Sequence, residues 1–423
     1  MSTPAASATD LIIIGAGAAG LMAAVTAARA GQRVLLLDGA RTVGAKILVA
    51  GGGRCNVTHF AVNERDYAGA TPQQIRKVLQ RFPVRETIGF FSALGVELKQ
   101  EDTGKLFPTT DSARTVLDAL LRASTNSGVT LRNPARVESV RFDTTEQLFV
   151  VGTALDEFRA PRLLLATGGK ALPKSGSDGA GYAFATALGH SLTAQIVPAL
   201  APLLLSPSHW LLALSGLALD VELTLFRENG APFKFEGQAK SHSVRGAMLA
   251  THFGLSGPAP LDISRHWTHA RVVEPRVTLR VNWLPEHREE TLDALLVASK
   301  GVSVLSVLRE LLPERFARAL LHEVGIEPTI TPQQLPRERR LTLVRALVAM
   351  QLEVTGDRGF TYAEATAGGV PLDEIHLATM ESKRQRGLYL AGEILDVDGR
   401  IGGFNFQWAW ASGFVAGHAA SQA

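Results

Sequence analysis

Cysteine is almost absent from this sequence, which has one, Cys55, among 423 residues. A single cysteine cannot form an internal disulfide or a redox-active dithiol, so a disulfide-stabilised secreted fold and a dithiol mechanism are both excluded. No basic segment followed by a cleavable apolar run precedes the first predicted strand. These features together predict a cytoplasmic protein.

The sequence also has little net charge and no uninterrupted hydrophobic run of membrane-spanning length. Forty-three basic and 40 acidic residues give a net charge of +3, which neither requires nor excludes a nucleic-acid partner. Residues 11–28 and 198–219 lack Asp, Glu, Lys and Arg, but glycines interrupt the first stretch and prolines the second. We therefore predict no membrane span. With 46% hydrophobic and 20% charged residues, the composition is typical of a globular chain of two or three domains.

The N-terminal segment DLIIIGAGAAGLMAAVTAARAGQRVLLLDGA predicts a strand, a glycine turn, a helix and a second strand. The turn has G-x-G-x-x-G spacing between strand and helix, which is the context that a dinucleotide site needs. These glycines allow a tight turn, close approach of a pyrophosphate and close helix packing. Asp38 ends the second strand, where a carboxylate can accept hydrogen bonds from ribose hydroxyls and would repel a 2′-phosphate. FAD or NAD is therefore predicted, bound by Gly15, Gly17, Ala18, Ala19, Gly20 and Asp38.

Later motifs favour FAD over NAD. LLLATGG and LYLAGE each predict a buried strand that ends in small residues, and IGGFNFQWAWASG places two glycines at the start of a helix. The positive end of that helix can stabilise negative charge on a reduced flavin. GSDGAGY lacks a preceding strand, so no second Rossmann unit for a nicotinamide is predicted. NADH or NADPH would therefore bind only transiently to donate electrons to the flavin. The predicted cofactor-binding residues in these motifs are Thr167, Gly168, Gly169, Gly392, Glu393, Gly402, Gly403, Phe404 and Asn405.

Changes of pattern along the chain predict three domains. Residues 1–190 and 366–423 form a discontinuous FAD-binding domain, because strand, glycine loop and helix resume near the C-terminus. Residues 191–285 alternate short apolar runs with Pro and Gly and predict an inserted β-barrel-like domain. Residues 286–365 predict a helical domain.

These motifs resemble those of the BaiN/RdsA-type flavoproteins, a family of NAD(P)/FAD-dependent oxidoreductases. The resemblance rests on GAGAAGLMAA, KILVAGGGRCNVTH, ATGG, THFGLSGPA and AGEILDVDGRIGGFNFQWAWASG, in this order over nearly the whole chain. It implies an α/β fold with a glutathione-reductase-like FAD-binding Rossmann domain, an inserted β-barrel and a helical domain. It also implies FAD contacts at Lys46, Gly52, Gly53, Arg54, Cys55, Asn56 and Val137.

Cys55 and His252 are the candidate catalytic residues. A thiolate nucleophile or thiol acid would need a nearby positive group, and Arg54 precedes Cys55 in the sequence. The alternative is a small residue packed in a flavin loop. His252 lies in THFGLSGPA, where it could act on the substrate or be a structural histidine. The scattered histidines and the lack of further cysteines predict no metal site.

The resemblance also bears on the reaction, because members of this family reduce a uridine of 23S ribosomal RNA to dihydrouridine. It implies a reductase that passes NAD(P)H-derived electrons to an activated C=C bond, with ribosomal RNA as partner. The alternative is an oxidase or reductase of a small metabolite, an amine or an enone. A set of basic side chains could contact RNA phosphates, or alternatively could lie on solvated helix faces. They are Arg309, Arg315, Arg318, Arg337, Arg339, Arg340, Arg345, Lys383, Arg384 and Arg386.

Overall fold

The computed structural model describes residues 9–235 and 242–422. The chain forms two compact units, one comprising Met1–Ala199 with Phe360–Ala423 and the other Leu200–Gly359. Strands and helices of the second unit share one hydrophobic core. The division into three domains stays a prediction.

The elements of the first unit before the insertion are β1 (Leu11–Ile14), α1 (Ala18–Arg29), β2 (Val34–Leu37), α2 (Ala45–Gly53), β3 (Thr58–His59), β4 (Tyr67–Gly69), α3 (Pro72–Leu79), α4 (Val84–Ala93), β5 (Leu98–Gln100), β6 (Lys105–Pro108), α5 (Ala113–Asn126), β7 (Thr130–Arg132), β8 (Val137–Asp143), β9 (Leu148–Thr153), β10 (Glu157–Ala160), β11 (Arg162–Leu165), α6 (Ala180–Ala187) and β12 (Val197–Ala199). Those of the second unit are β13 (Leu203–Leu205), β14 (Ala218–Phe226), β15 (Ser243–Ala250), β16 (Gly254–Ser256), α7 (Pro258–Val273), β17 (Thr278–Asn282), α8 (Glu289–Ala298), α9 (Val304–Arg309), α10 (Glu314–Glu323), α11 (Arg337–Val348), β18 (Met350–Leu352) and β19 (Val354–Asp357). The first unit then resumes with β20 (Ala365–Ala367), β21 (Ile375–His376), β22 (Glu381–Ser382), β23 (Leu388–Leu390), β24 (Val397–Gly399) and α12 (Phe404–Gln422).

A seven-stranded sheet in the order β21-β22-β23-β11-β1-β2-β7 forms the centre of the first unit. Its five strands from β23 to β7 run parallel, and Ile12 of β1 pairs with Leu163 of β11 and Leu35 of β2. All residues of β1 and β2 are buried, which explains their unbroken apolar runs. The predicted α/β fold with a Rossmann-type sheet is confirmed. The outer parallel strand of this sheet is β7, which pairs with β2.

The first unit also has two antiparallel features. The segment 96–108 forms the β5–β6 hairpin, in which Leu98 pairs with Pro108. Strands β8, β9 and β10 form a meander, after which the chain returns to the parallel sheet as β11.

Helices α1 and α12 pack closely through small residues. A Cβ on Gly413 would lie 2.4 Å from the carbonyl oxygen of Ala19, and one on Gly417 would lie 2.5 Å from that of Ala23. Since backbone meets backbone here, neither position has room for a side chain. This contact joins the two sequence-distant parts of the first unit.

The second unit is built on a curled antiparallel sheet in the order β18-β17-β14-β15-β16-β13-β19. Its edge strands β18 and β19 are separated in sequence by Glu353 alone, so the sheet curls until its two edges lie close together. This arrangement matches the barrel-like sheet expected from the sequence. Across the described residues, no helix combines the length and apolar character that crossing a membrane requires.

The sequence prediction was wrong about α7, because only strands were predicted between residues 191 and 285. Gly257, with φ of +91°, ends β16, and Pro258 occupies the first turn of the helix. Proline is tolerated there because its missing N–H would have had no intrahelical partner. The Pro and Gly that suggested strand boundaries therefore mark the start of a helix.

Candidate active site

The turn between β1 and α1 contains glycines for two different reasons. A Cβ on Gly15 would lie 2.3 Å from the carbonyl oxygen of Ala166, and one on Gly20 would lie 1.8 Å from that of Gly15. The packing of the protein therefore requires both glycines. A Cβ on Gly17 would meet no atom within 4 Å. This open space adjoins the first turn of α1, at Ala18, where unpaired N–H groups favour a phosphate.

Asp38 ties the end of β2 to this turn. Its Oδ2 accepts a hydrogen bond from the Ala16 backbone N–H at 2.6 Å, and its Oδ1 accepts one from that of Ala40 at 2.7 Å. The Asp38 carbonyl also accepts from the N–H of Ala135 at 2.7 Å, which brings Val137 near the same corner. Each carboxylate oxygen has further acceptor capacity. The corner therefore suits the adenosine half of a dinucleotide.

The glycine loop that ends α2 has a backbone that few residues except glycine adopt. Regular helical angles stop at Ala50, and the next three residues, Gly51–Gly53, have φ of +56°, +68° and +85°. All three are exposed. A Cβ on Gly51 would lie 3.1 Å from the backbone nitrogen of Asn56, whereas one on Gly52 would meet nothing within 4 Å. The loop thus presents bare backbone on one side.

Lys46 and Glu393 form an ion pair between the two halves of the first unit. The Nζ of Lys46 lies 2.5 Å from the Oε2 of Glu393, and both side chains are largely buried. The other carboxylate oxygen, Oε1, lies 2.9 Å from the position of a Cβ on Gly169. The structure thus brings together two of the predicted cofactor residues that lie far apart in sequence.

Three buried oxygens in this region lack a hydrogen-bond partner among the described residues: Asn56 Oδ1, Glu393 Oε1 and Ser177 Oγ. Each borders a glycine, since a Cβ on Gly403 would lie 2.8 Å from Asn56 Oδ1 and one on Gly168 would lie 2.7 Å from Ser177 Oγ. Buried polar atoms without partners cost about 1–3 kcal/mol each. Unfilled hydrogen bonds beside bare backbone fit a polar, planar cofactor with hydroxyl groups, as FAD is.

Helix α12 begins directly after Gly402 and Gly403. Asn405 does not extend its amide toward them: its Oδ1 accepts from the N–H of Gly399 at 2.8 Å, and its Nδ2 donates to the carbonyl of Gly399 at 2.9 Å. Asn405 therefore holds the loop between β24 and α12. Gly402 and Gly403 both have positive φ, of +127° and +93°, and lead directly into the first helical residue, Phe404.

A family model described as the HI0933-like protein Rossmann domain matches residues 9–419. The chain belongs to this family. The predicted family resemblance is confirmed, and membership of this family makes the protein an FAD-dependent oxidoreductase.

Two curated relatives match nearly the full length of this HI0933-like chain. The 3-dehydro-bile acid delta(4,6)-reductase of Clostridium scindens is 34% identical over 416 residues, which cover 97% of this chain and 98% of the relative. The ribosomal RNA dihydrouridine synthase of Escherichia coli is also 34% identical over 416 residues, with 96% of each chain covered.

A solved structure agrees in fold. The 3-ketosteroid-delta4-(5alpha)-dehydrogenase of Rhodococcus jostii aligns with a TM-score of 0.50 over 99% of both chains, at 17% sequence identity. At this identity the likeness shows the fold alone.

Cys55 is placed in the HI0933-like site as a packed residue of the glycine loop. It is fully buried, and burial raises the pKa of its thiol to about 12, so the thiol is protonated at neutral pH. Arg54 is turned to other partners: its Nη1 lies 2.6 Å from Glu101 Oε1 and 3.6 Å from Asp111 Oδ1, and it stacks over Phe107. The surroundings therefore favour the packing interpretation over a thiolate nucleophile.

His252 lies in the second unit, in the turn between β15 and β16, and is exposed. The turn is held by Thr251, whose Oγ1 donates to the carbonyl of Gly254 at 2.9 Å and accepts from its N–H at 3.1 Å. The ring of His252 contacts only its neighbour Phe253 among the aromatic contacts of the described chain. A catalytic role for His252 stays a prediction.

A group of half-buried histidines in the second unit was not predicted as a site. The rings of His242 and His266 lie 3.6 Å apart, and Arg265 Nε donates to His266 Nε2 at 3.1 Å. Burial lowers the pKa of His242 to about 4, and burial followed by the charge of Arg265 lowers that of His266 well below its usual range. The described residues hold no group of three or more His, Cys, Asp or Glu placed to bind a metal ion. We therefore interpret these neutral histidines as core residues.

Most arginines of the second-unit helices are engaged within the protein. Arg309 and Arg318 pair with Glu314, and Arg340 with Asp293. Further engaged arginines are Arg315, which donates to the carbonyl of Ala213, Arg339, which donates to that of Gly325, and Arg345, which pairs with Glu289. The solvated-face alternative therefore describes them better than a set of free phosphate contacts.

Sequence analysis missed Thr366 and Ser177. Thr366 Oγ1 accepts hydrogen bonds from the N–H groups of Lys170 and Ala171, at 2.8 and 3.0 Å, and so holds the segment after β11. A signal existed, because TAGG at residues 366–369 echoes the ATGG motif after β11. Ser177 carried no comparable signal, since GSDGAGY was considered only as a second nucleotide motif.

Proposed function

We propose that this protein reduces a carbon–carbon double bond conjugated to a carbonyl, and that its substrate is a uridine of 23S ribosomal RNA. Support for the reaction type comes from the two relatives, whose names denote a delta(4,6)-reductase of a 3-dehydro bile acid and a ribosomal RNA dihydrouridine synthase. An enone and a uracil ring share a C=C bond activated by a carbonyl. The observation that carries the proposal is a set of glycines beside buried oxygens that lack a hydrogen-bond partner, above all those of Asn56 and Glu393, in a chain of this family.

The residues of the first unit have separable tasks in this proposal. FAD, when bound, supplies hydride transfer. Gly17 and the first turn of α1 bind its phosphates, and the Asp38 carboxylate accepts hydrogen bonds from its ribose hydroxyls. Lys46 and Glu393 orient its polar chain, because their ion pair leaves Glu393 Oε1 as an acceptor. The glycine loop lets the backbone approach the ring closely.

Electron supply and proton supply complete the proposal. NADH or NADPH donates electrons in a transient encounter, and the protein works in the cytoplasm, where ribosomal RNA is found. Reduction of a C=C bond needs one proton besides the hydride. His252 is the proposed acid, because its side chain is exposed, whereas the Cys55 thiol is buried and its raised pKa makes it a poor proton donor.

The relative that acts on a bile acid supports a second candidate, reduction of a small enone. Reoxidation of the NAD(P)H-reduced protein under anaerobic conditions separates the two. We expect unmodified ribosomal RNA transcript to restore the oxidised flavin spectrum and a 3-oxo-delta4 steroid to leave it bleached. The opposite pattern would favour the enone, and a protein that neither retains nor binds FAD would contradict both candidates.

A further inference from the structure

A recess on the first unit is lined by cationic and amide side chains. It encloses about 530 Å³ between the C-terminal end of α3 and the β21–β22 hairpin. No Asp or Glu of the described residues lines it. The residues that matter to its chemistry are Lys77, Gln80, Arg81, Ile375, His376 and Lys383.

Hydrogen bonds hold the two walls of this recess at a set separation. Gln74 Nε2 of α3 donates to Asp373 Oδ1 at 2.6 Å, which joins the helix to the segment before β21. On the hairpin, Lys383 Nζ donates to the carbonyl of Asp373 at 2.8 Å, and Ile375 pairs with Ser382. The recess is therefore present before any ligand arrives, which lowers the entropic cost of binding.

No carboxylate of the described residues lines the recess, and that of the neighbouring Asp373 accepts a hydrogen bond from Gln74. Lys77 and Arg81 are exposed and form no ion pair with another described residue. The adjacent Glu374 is turned inward, where its oxygens accept hydrogen bonds from His190, Ser191 and Arg384. An anion would therefore find free donors from several directions.

We infer that this recess binds phosphate groups of an RNA backbone. Lys, Arg and Gln side chains donate hydrogen bonds to phosphodiester oxygens. The arginines of the second unit are largely taken up by internal partners, whereas Lys77, Arg81 and Lys383 are grouped around one opening. This inference rests on the proposed function, because the RNA substrate of that function supplies the ligand.

The test compares RNA binding by the FAD-loaded native protein and by Lys77→Gln/Arg81→Gln. The matched control is Arg122→Gln/Lys300→Gln, which removes one arginine and one lysine that are exposed and lie outside the recess. Binding of a fluorescein-labelled unmodified 23S ribosomal RNA transcript is followed by anisotropy at several salt concentrations. We expect the recess variant to bind about tenfold more weakly at low salt and its salt slope to fall by about 1 for each cation removed. The control should stay within about twofold of native, and all three should be reduced by NAD(P)H at equal rates.

Equal affinity and equal salt slope for the recess variant and the native protein would overturn the inference. So would binding of inorganic phosphate that depends on Lys77 and Arg81 while RNA binding does not, since the recess would then serve a free phosphate. The proposed function fails separately: recess-dependent RNA binding without dihydrouridine formation supports the recess and contradicts that function. Dihydrouridine formation at native rate and affinity by the recess variant does the reverse.

Discussion

Replacing Gly17 with alanine separates what the protein needs from what its cofactor needs. The backbone at Gly17 has φ of −82° and ψ of −165°, which alanine adopts without strain. The new Cβ would meet no protein atom within 4 Å. We therefore expect the FAD-free protein to change in unfolding free energy by no more than about 1 kcal/mol, and in the stabilising direction, because alanine has a less flexible unfolded state.

The same methyl group would enter the space that a pyrophosphate needs beside α1. Overpacking of a close contact costs about 1–3 kcal/mol, which corresponds to a loss of FAD affinity of about 5-fold to 150-fold. Titration of the FAD-free protein with FAD, followed by flavin fluorescence, measures this Kd, and urea denaturation measures stability. Gly89→Ala is the matched control, because Gly89 lies in α4 and its Cβ would also meet nothing within 4 Å. An unchanged Kd for Gly17→Ala would refute the placement of the pyrophosphate at this turn.

Three further predictions follow from burial and packing. Cys55→Ala should retain FAD and most of its turnover, measured by NAD(P)H oxidation, because the thiol is buried and protonated; a large loss of turnover with FAD retained would restore its catalytic role. Gly417→Ala should lower the urea midpoint by the equivalent of at least about 1–3 kcal/mol, since its Cβ would press on the carbonyl of Ala23; stability equal to native would contradict the α1–α12 packing. The free energy of unfolding should also fall as pH drops from about 6.5 toward 4, because His242 and His266 take up protons in the unfolded state but not in the folded one. Each histidine should lower it by up to about 1.4 kcal/mol per pH unit. His242→Phe should flatten that pH dependence in urea titrations, and an unchanged slope would show that His242 is not the cause.

The parts of the fold that depend on neighbours in sequence could be predicted from local spacing. The strand, turn and helix around Gly15 and Gly20 could be predicted because each glycine has a steric reason within a few residues or at the adjoining strand. By contrast, α7 was missed, because Pro258 reads equally well as a strand end and as the first residue of a helix.

Contacts between distant residues lay beyond what spacing can show. Lys46 and Glu393 meet across 347 positions. The LYLAGE motif predicted Glu393 and the family resemblance implied Lys46, but neither indicated that the two residues form a pair. Adjacency in sequence likewise does not identify the partner of Arg54, which precedes Cys55 but pairs through its guanidinium with Glu101. A side chain's partner depends on which elements pack around it, and the sequence alone does not state that.

We propose that this FAD-dependent protein reduces uridine in ribosomal RNA, and detection of dihydrouridine is the direct test of that proposal. Unmodified 23S ribosomal RNA transcript is incubated anaerobically with the FAD-loaded protein and NADH or NADPH, digested to nucleosides and analysed by mass spectrometry. We predict a dihydrouridine peak, heavier than uridine by two hydrogen atoms, that requires both FAD and the nicotinamide donor. A protein whose flavin is reduced by the donor but which leaves every uridine of the RNA unchanged would contradict the claim.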